Sequence, residues 1–197
     1  MISELPLYLI TSLERRLMTA ATTTTSPFTG SQEVQDWGGE WWNYAVTIAL
    51  MRPSDGQRMS AFFTSLGGVR GRFLFRDPSI EAAPAVGLGV VSGAFQSGRS
   101  LVTAGWAEST LLFRAGDFFS LGTGTETRLY QVTMDVISND VGMATLQFIP
   151  KLRSTPANGT MIETSNPKLV LRLSEPVPTT VGRAGKFQFT FSAREAL

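Results

Sequence analysis

The clearest alternation of apolar and polar side chains lies between Trp41 and Leu50. Every second position in this run is apolar: Trp42, Tyr44, Val46, Ile48 and Leu50. Successive side chains of a β-strand point to opposite faces, so these five share one face and predict a strand that is buried on one side. Two shorter runs precede it, at 15–21 and 32–37, and a polar connector separates them. They predict two further strands joined by a loop.

The period of the apolar positions lengthens after Pro53. Ser54 is a candidate helix N-cap, with Gln57 three residues later. The apolar side chains that follow have helical spacing: Met59, Phe62, Phe63 and Leu66. This segment predicts one amphipathic helix that ends at Gly67.

Beyond the helix the chain returns to the two-residue period. Strands are predicted at 71–76, 118–121, 128–136, 142–149 and 167–173. In the longest of these the apolar positions share one face: Tyr130, Val132, Met134 and Val136. Turn signals separate the last four strands at the spacing of a small barrel or sandwich.

Two segments rich in glycine and proline interrupt the pattern, at 79–98 and 176–185. Their composition is typical of connectors between packed units. A final strand follows, in which Phe187, Phe189 and Phe191 alternate with polar residues. A strand this apolar needs a sheet whose core it can join.

These features predict a mainly β protein with two domains. The first is discontinuous, residues 1–92 and 175–197, and contains the one short helix. Residues 93–174 are expected to form an inserted small β-barrel or sandwich domain.

Composition excludes several chemistries. The 197 residues include no His and no Cys, which excludes thiol nucleophiles, disulfides, Ser-His-Asp triads and metal sites built from His or Cys. No catalytic, metal-binding or cofactor-binding residue is predicted. The first apolar stretch is interrupted by Glu4 and Pro6, so neither a signal peptide nor a membrane segment is expected. The 16 carboxylates are scattered, and a hydrolase that uses two distant ones stays open as an alternative.

Arginines and aromatic residues are combined between positions 70 and 76. Arg70, Arg72 and Arg76 surround Phe73 and Phe75, as in platforms for single-stranded nucleic acid. The formal net charge of +1, however, lacks the basic excess that phosphate binding usually needs, and this favours a strand with one apolar side and one arginine side. The planar fork of arginine suits protein interfaces. The three arginines are therefore predicted to pair with carboxylates of an adjacent subunit.

Three tryptophans, Trp37, Trp41 and Trp42, lie within six positions. Trp42 is in phase with the buried face of the predicted strand and is assigned to the core. Trp37 and Trp41 are candidates for contact with a partner, and a sugar-stacking platform is the alternative.

The order of these features resembles the distal tail proteins of long-tailed bacteriophages (siphophages), which form a ring at the end of the tail tube. The resemblance rests on runs that cover most of the chain: Trp41 through Leu50, Met59 through Gly68, Gly71 through Pro78, Gly105-Trp106, Ala115 through Phe118, Arg128 through Val132, Gly142 through Arg153 and Phe187 through Leu197.

The resemblance implies a structural protein of the virion, located in the tail tip or baseplate and made in the host cytoplasm. It implies a ring-building domain like that of tail-tube proteins and a homohexameric ring, with the inserted domain on the outside. The implied partners are the tail-tube protein, the tail hub and the fibre or receptor-binding proteins. Genome DNA would pass through the lumen without specific binding. The resemblance implies no enzymatic activity and no cofactor.

Two other functions fit the same sequence features. One is another ring of the tail or neck, such as a tube, terminator or adaptor protein. The other is a carbohydrate-binding module used in host attachment.

Overall fold

The structure is a computed structural model that describes residues 2–6 and 9–197. It is mainly β, with one α-helix among the described residues, which confirms the predicted fold class at this level. No helix in the described part of the chain is both long and apolar enough to span a membrane.

Fifteen strands and one helix make up the regular structure of the described residues. In chain order they are β1 (Ser3–Glu4), β2 (Ile10–Thr25), β3 (Gln32–Met51), α1 (Pro53–Ser65), β4 (Phe73–Arg76), β5 (Gly87–Val91), β6 (Ser100–Trp106), β7 (Leu111–Phe113), β8 (Phe118–Leu121), β9 (Arg128–Val132), β10 (Val136–Ile137), β11 (Ala144–Ile149), β12 (Ile162–Glu163), β13 (Lys168–Leu173), β14 (Thr180–Val181) and β15 (Phe187–Glu195).

The first sheet has the strand order β1-β4-β13-β15-β3-β2, and β14 pairs with β15. Strands from both ends of the chain therefore meet in it, with β15 between β13 and β3. Helix α1 packs on its inner face, where the ring of Phe63 lies 5.6 Å from that of Phe189 and 5.3 Å from that of Phe191. These aromatic contacts form the centre of the first core.

The second sheet has the order β12-β8-β9-β11-β6-β5 and is a nearly closed barrel. A single bridge between Val90 and Met161 joins its two edge strands. Its core is aromatic, with the ring of Phe119 packed 5.4 Å from the rings of both Tyr130 and Phe148. Strands β7 and β10 form a separate two-stranded sheet beside it.

The barrel also contributes side chains to the core of the first sheet. Phe118 of β8 and Leu129 of β9 are buried there, and the ring of Phe118 lies 6.0 Å from that of Trp42. The two sheets are therefore packed against each other by apolar contact.

Two strands pair differently from what the composition suggested. β5 lies inside the segment 79–98, which was expected to be a connector, and it pairs with β6 of the barrel. β13, expected in the inserted domain, pairs instead with β4 and β15 of the first sheet. The division into 1–92 plus 175–197 and 93–174 stays a prediction. Glycine and proline content marks turns well but does not reveal which sheet a short strand joins.

The strand predicted at 128–136 is interrupted. β9 ends at Val132, and β10 begins only at Val136. Met134 lies between them with its side chain 54% exposed, so the prediction that it shares a strand face with Tyr130, Val132 and Val136 is wrong. Tyr130, Val132 and Val136 are buried as predicted.

The helix begins differently from the prediction. Pro53 takes the first helical position and Arg52 is the N-cap, without a side-chain hydrogen bond. Ser54 is therefore inside the first turn and caps nothing. Proline favours this start because its ring presets the backbone angle and its missing N–H would have no helical partner there. The predicted end is confirmed, since Gly67 follows in the left-handed conformation with φ 63°.

The close packing of α1 on β15 is testable at Gly56, which is buried in the helix. A Cβ atom at this position would overlap the ring of Phe187. We expect Gly56→Ala to lower the free energy of unfolding by about 1–3 kcal/mol, although alanine favours a helix over glycine by about 1 kcal/mol. Urea denaturation measures the change. Ser54→Ala, exposed on the same helix, is the control and should shift stability by less than about 0.5 kcal/mol.

Candidate assembly interface

The outer part of the hairpin formed by β2 and β3 projects from the body of the protein. We call residues 20–38 the arm. Its ladder is regular from the pair Ala21–Asp36 to the pair Thr25–Gln32, which gives a length of about 14 Å at the rise of an antiparallel strand. Three large apolar side chains on it are exposed: Phe28 (94%), Val34 (62%) and Trp37 (64%). Within the described residues, no hydrogen bond joins positions 20–37 to any residue outside the hairpin.

The arm is acidic. No lysine or arginine occurs between Leu17 and Met51, whereas Glu33 and Asp36 lie on the arm and are exposed. They point to opposite faces because the strand alternates. Glu33 shares its face with Trp37, and Asp36 shares its face with Val34. Each face of the arm therefore carries one carboxylate and one large apolar side chain.

The base of the arm is fixed to the barrel by Glu40. Its buried carboxylate forms an ion pair with Arg99 and accepts a hydrogen bond of 2.8 Å from the backbone N–H of Lys151. Gly38, with φ 70°, makes the turn at the base, and its N–H donates to the Asp36 carboxylate at 2.7 Å. A side chain at position 38 would also crowd the Lys151 ammonium group, 3.1 Å from the Cβ position.

Trp42 and Glu195 join the two sheets below the arm. The Trp42 indole N–H donates to the carbonyl oxygen of Leu129 at 3.0 Å, and its backbone N–H donates to Glu195 Oε2 at 3.2 Å. Arg153 donates to the same buried carboxylate through Nη2 at 2.7 Å and Nε at 3.3 Å. A forked arginine contact plus a backbone donor satisfies the charge of Glu195 inside the protein.

A second buried charge lies on the other side of Trp42. Asp77 forms an ion pair with Arg15 and accepts hydrogen bonds from the backbone N–H and hydroxyl of Ser79 at 2.9 and 2.6 Å. The Arg15 guanidinium also packs 4.3 Å from the ring centre of Phe118. Burial, with the Asp77 carboxylate beside it, raises the pKa of Tyr44 well above its usual range. The Tyr44 hydroxyl makes no hydrogen bond of normal geometry in the described structure.

The structure separates the five residues predicted to contact a partner. Arg70 lies in the 3₁₀ turn Gly68–Arg70, while Arg72 precedes β4 and Arg76 ends it, both on the outer side of the sheet. Trp37 is on the arm. Trp41 is half-buried, with the Arg194 guanidinium 5.4 Å from its ring centre. No carboxylate of the described residues lies within ion-pair distance of Arg70, Arg72 or Arg76.

Sequence reasoning missed a larger arrangement of arginines on the outer face of the first sheet. Arg172 of β13 pairs with Arg194 of β15, which pairs with Asn43 of β3, which pairs with Arg16 of β2. Arg72 continues the line on the other side, because its neighbour Phe73 pairs with Leu171. We call Arg72, Arg172, Arg194 and Arg16 the arginine row. Their sequence positions are unrelated, so only the strand register brings them together; the one available signal was arginine at the polar positions of apolar strands.

A cavity of about 400 Å³ opens between the base of the arm and the barrel. Its lining includes Glu40, Arg128 and Arg153, whose charged groups already have partners: Glu40 with Arg99, Arg153 with Glu195, and Arg128 with the carbonyl oxygens of Thr125 and Thr127. In the described ranges no three acidic side chains are close enough together to hold a metal ion. These three charged groups are therefore not free to recognise a ligand in the cavity.

Comparison with known proteins gives no match: neither a protein-family model nor a curated protein resembles the chain closely enough to be assigned.

The unusual position of Tyr44 predicts a pH dependence. A tyrosine in the unfolded chain ionises with a pKa of about 10, whereas Tyr44 stays neutral in the fold. Above that pH the folded state therefore holds more protons than the unfolded state. The free energy of unfolding consequently falls as the pH rises. We expect Tyr44→Phe to be at least as stable as wild type at pH 7, because it removes a buried hydroxyl without a partner. Its free energy of unfolding should fall less steeply above a pH of about 10.

Tyr130→Phe is the matched comparison for this experiment. Burial also raises the pKa of Tyr130, but its hydroxyl accepts a 3.4 Å hydrogen bond from the backbone N–H of Arg153. This variant should lose stability at pH 7 while also weakening the alkaline loss. Denaturant titrations from neutral to alkaline pH measure both variants. An alkaline loss in Tyr44→Phe equal to that of wild type would contradict the assignment.

Proposed function

We propose that the chain is a structural subunit of a bacteriophage tail tip, and that it assembles into a ring joining the tail tube to the hub and the host-recognition proteins. The observation that carries this proposal is the arm. About 14 Å of antiparallel ladder and its turn extend from the protein with Phe28, Val34 and Trp37 exposed.

An isolated hairpin of this kind needs a partner surface. A two-stranded ribbon has no sheet or helix to cover its apolar side chains and is marginally stable alone in water. Its outer edges also present unpaired backbone groups, which other chains cover in assembled proteins. A second copy of the chain supplies such a surface in fixed stoichiometry. Contact between different surfaces of successive copies generates a ring when the rotation closes.

The unpaired arginines support the same function. Arg70 and Arg72 are exposed and Arg76 is half-buried, and none has a carboxylate partner within the described chain. Arginine is enriched at protein interfaces, where its fork binds carboxylates in a defined geometry. The proposal assigns these residues to contacts with an adjacent subunit.

The remaining parts of the proposal follow from the resemblance. The ring is proposed to be a homohexamer at the virion tail tip, stacked on the tail-tube protein and bound by hub and fibre or receptor-binding proteins. The genome passes through its lumen without specific binding, which suits a chain with a net charge of +1. The role is structural and requires no cofactor.

The tryptophans give less support to the carbohydrate-binding alternative. A sugar platform needs neighbouring aromatic faces open to solvent, but Trp42 is only 3% exposed and Arg194 lies over Trp41. Trp37 alone is open, and it lies on the arm.

The test is the solution mass of the purified chain by light scattering, with negative-stain images. Wild type should form a ring of about six subunits, the number implied by the resemblance. Trp37→Ser should leave monomer stability within about 0.5 kcal/mol but weaken association by about 30-fold or more, the effect of losing an interface anchor worth about 2 kcal/mol.

Met134→Ser is the control, because this side chain is also exposed and apolar but lies outside the arm. It should leave the ring intact. A wild-type chain that stays monomeric at every soluble concentration contradicts the proposal. If Trp37→Ser forms the same rings as wild type, the proposed ring stands but the proposed role of the arm is refuted.

A further inference from the structure

We propose that the arginine row of one subunit is the docking surface for the acidic arm of a second copy. The inference rests on the proposed function in one respect, since it requires copies of this chain to associate. It adds the identity of the two surfaces and the chemistry that joins them.

The row is a continuous cationic line across five strands. Arg72, Arg172, Arg194 and Arg16 occupy successive register positions, with Asn43 between the last two. Neighbouring strands are about 4.8 Å apart, so the row spans about 19 Å. The regular ladder of the arm, about 14 Å long, covers most of this distance.

Most of the row lacks a partner within its own chain. Arg16 forms an ion pair with Glu14, which shows that the row accepts a carboxylate. In the described structure, Arg72, Arg172 and Arg194 have no such pair. The Nε atom of Arg172 is shielded from solvent and has no hydrogen-bond partner. Like charges at directly opposed positions destabilise a sheet. An anionic partner would relieve that repulsion and satisfy Arg172.

A shallow groove of about 180 Å³ lies beside the row. Its lining includes the small side chains of Ala45, Ser174 and Ser192, together with Glu14, the carboxylate that is paired with Arg16. The Oδ1 atom of Asn43, at the border of the groove, is also shielded and without a partner. The groove therefore offers the hydroxyls of Ser174 and Ser192 to the backbone of an incoming strand.

The arm has the complementary properties. Residues 32–39 of β3 have no strand other than β2 beside them, so one edge of the arm is free. When the arm binds through this free edge, Glu33 with Trp37 and Asp36 with Val34 lie on the two sides of the contact. The arm itself, residues 20–38, contains no basic group that would be repelled by the row.

The partner is a second copy because the arm does not reach the row of its own chain. Among the described residues no hydrogen bond or ion pair joins the two surfaces. The contact is therefore between unlike surfaces of successive copies, which is the geometry of a ring or a filament. A phosphate backbone is the other polyanion that arginines bind, and it is an outcome of the test below.

The test is a charge exchange between the two surfaces. One variant carries Glu33→Arg and Asp36→Arg, and the other carries Arg172→Glu and Arg194→Glu. Each alone should associate at least tenfold more weakly than wild type, measured by light scattering and sedimentation. An equimolar mixture should recover the assembly, because each arm then faces a row of opposite charge. Single substitutions of Glu33 and Asp36 show which face of the arm dominates.

Arg114→Glu with Arg183→Glu is the control for Arg172→Glu with Arg194→Glu. It makes the same change of net charge at exposed arginines outside the row. It should assemble like wild type. Circular dichroism confirms that each variant is folded.

Two results overturn the inference while the ring survives. In one, both charge variants assemble as wild type does. In the other, both fail and the mixture fails as well. A third result concerns duplex DNA. If wild type binds DNA strongly and in a salt-dependent way, and Arg172→Glu with Arg194→Glu loses this binding but assembles normally, the row binds nucleic acid and the inference is overturned. A wild-type chain that never associates overturns the proposed function, and this inference with it.

Discussion

The buried ion pair between Glu195 and Arg153 fixes the position of the barrel on the first sheet. A buried carboxylate is costly unless donors surround it, and Glu195 has the guanidinium of Arg153 and the backbone N–H of Trp42. Trp42 belongs to the first sheet, and Arg153 lies in the loop that follows β11 of the barrel. Because Trp42 is on β3, this contact also fixes the strand that continues into the arm. Glu40, two residues earlier, repeats the arrangement with Arg99 and Lys151. The direction of the arm is thus set by the same buried charges that dock the barrel.

A net charge of +1 conceals a strong separation of charge. The segment from Leu17 to Met51 has carboxylates and no base, while four arginines lie in one line on the outer face of the sheet. Separate acidic and basic surfaces on one molecule favour association of unlike surfaces and disfavour two arms or two rows meeting. The charge distribution therefore gives the subunit a polarity, which is what a head-to-tail assembly needs and a symmetric dimer does not.

Apolar periodicity was enough to predict the mainly β class, the helix that ends at Gly67-Gly68, and the buried side of β3 from Trp42 to Ile48. Leu50, predicted on that side, is 60% exposed, because the register between β3 and β15 shifts there. Periodicity was not enough for three other features. The runs at 32–37 and 41–50 form one strand, since backbone pairing with β2 continues past Gly38 and Gly39 even where both faces are exposed. The pairing of β5 and β13 depends on contacts distant in sequence. The arginine row exists only through register, because a shift of one residue would turn its side chains to the other face.

The arginine row also explains how the free subunit tolerates a surface built for assembly. Opposed like charges cost roughly 0.2–1 kcal/mol per pair on an exposed sheet, which is small beside the stability that the two aromatic cores supply. Arg194 also packs on an apolar surface, since its guanidinium lies over the ring of Trp41. The same charges protect the broad outer face from pairing with another sheet face. In the proposed assembly, an acidic strand of a second copy would relieve the repulsion within the row.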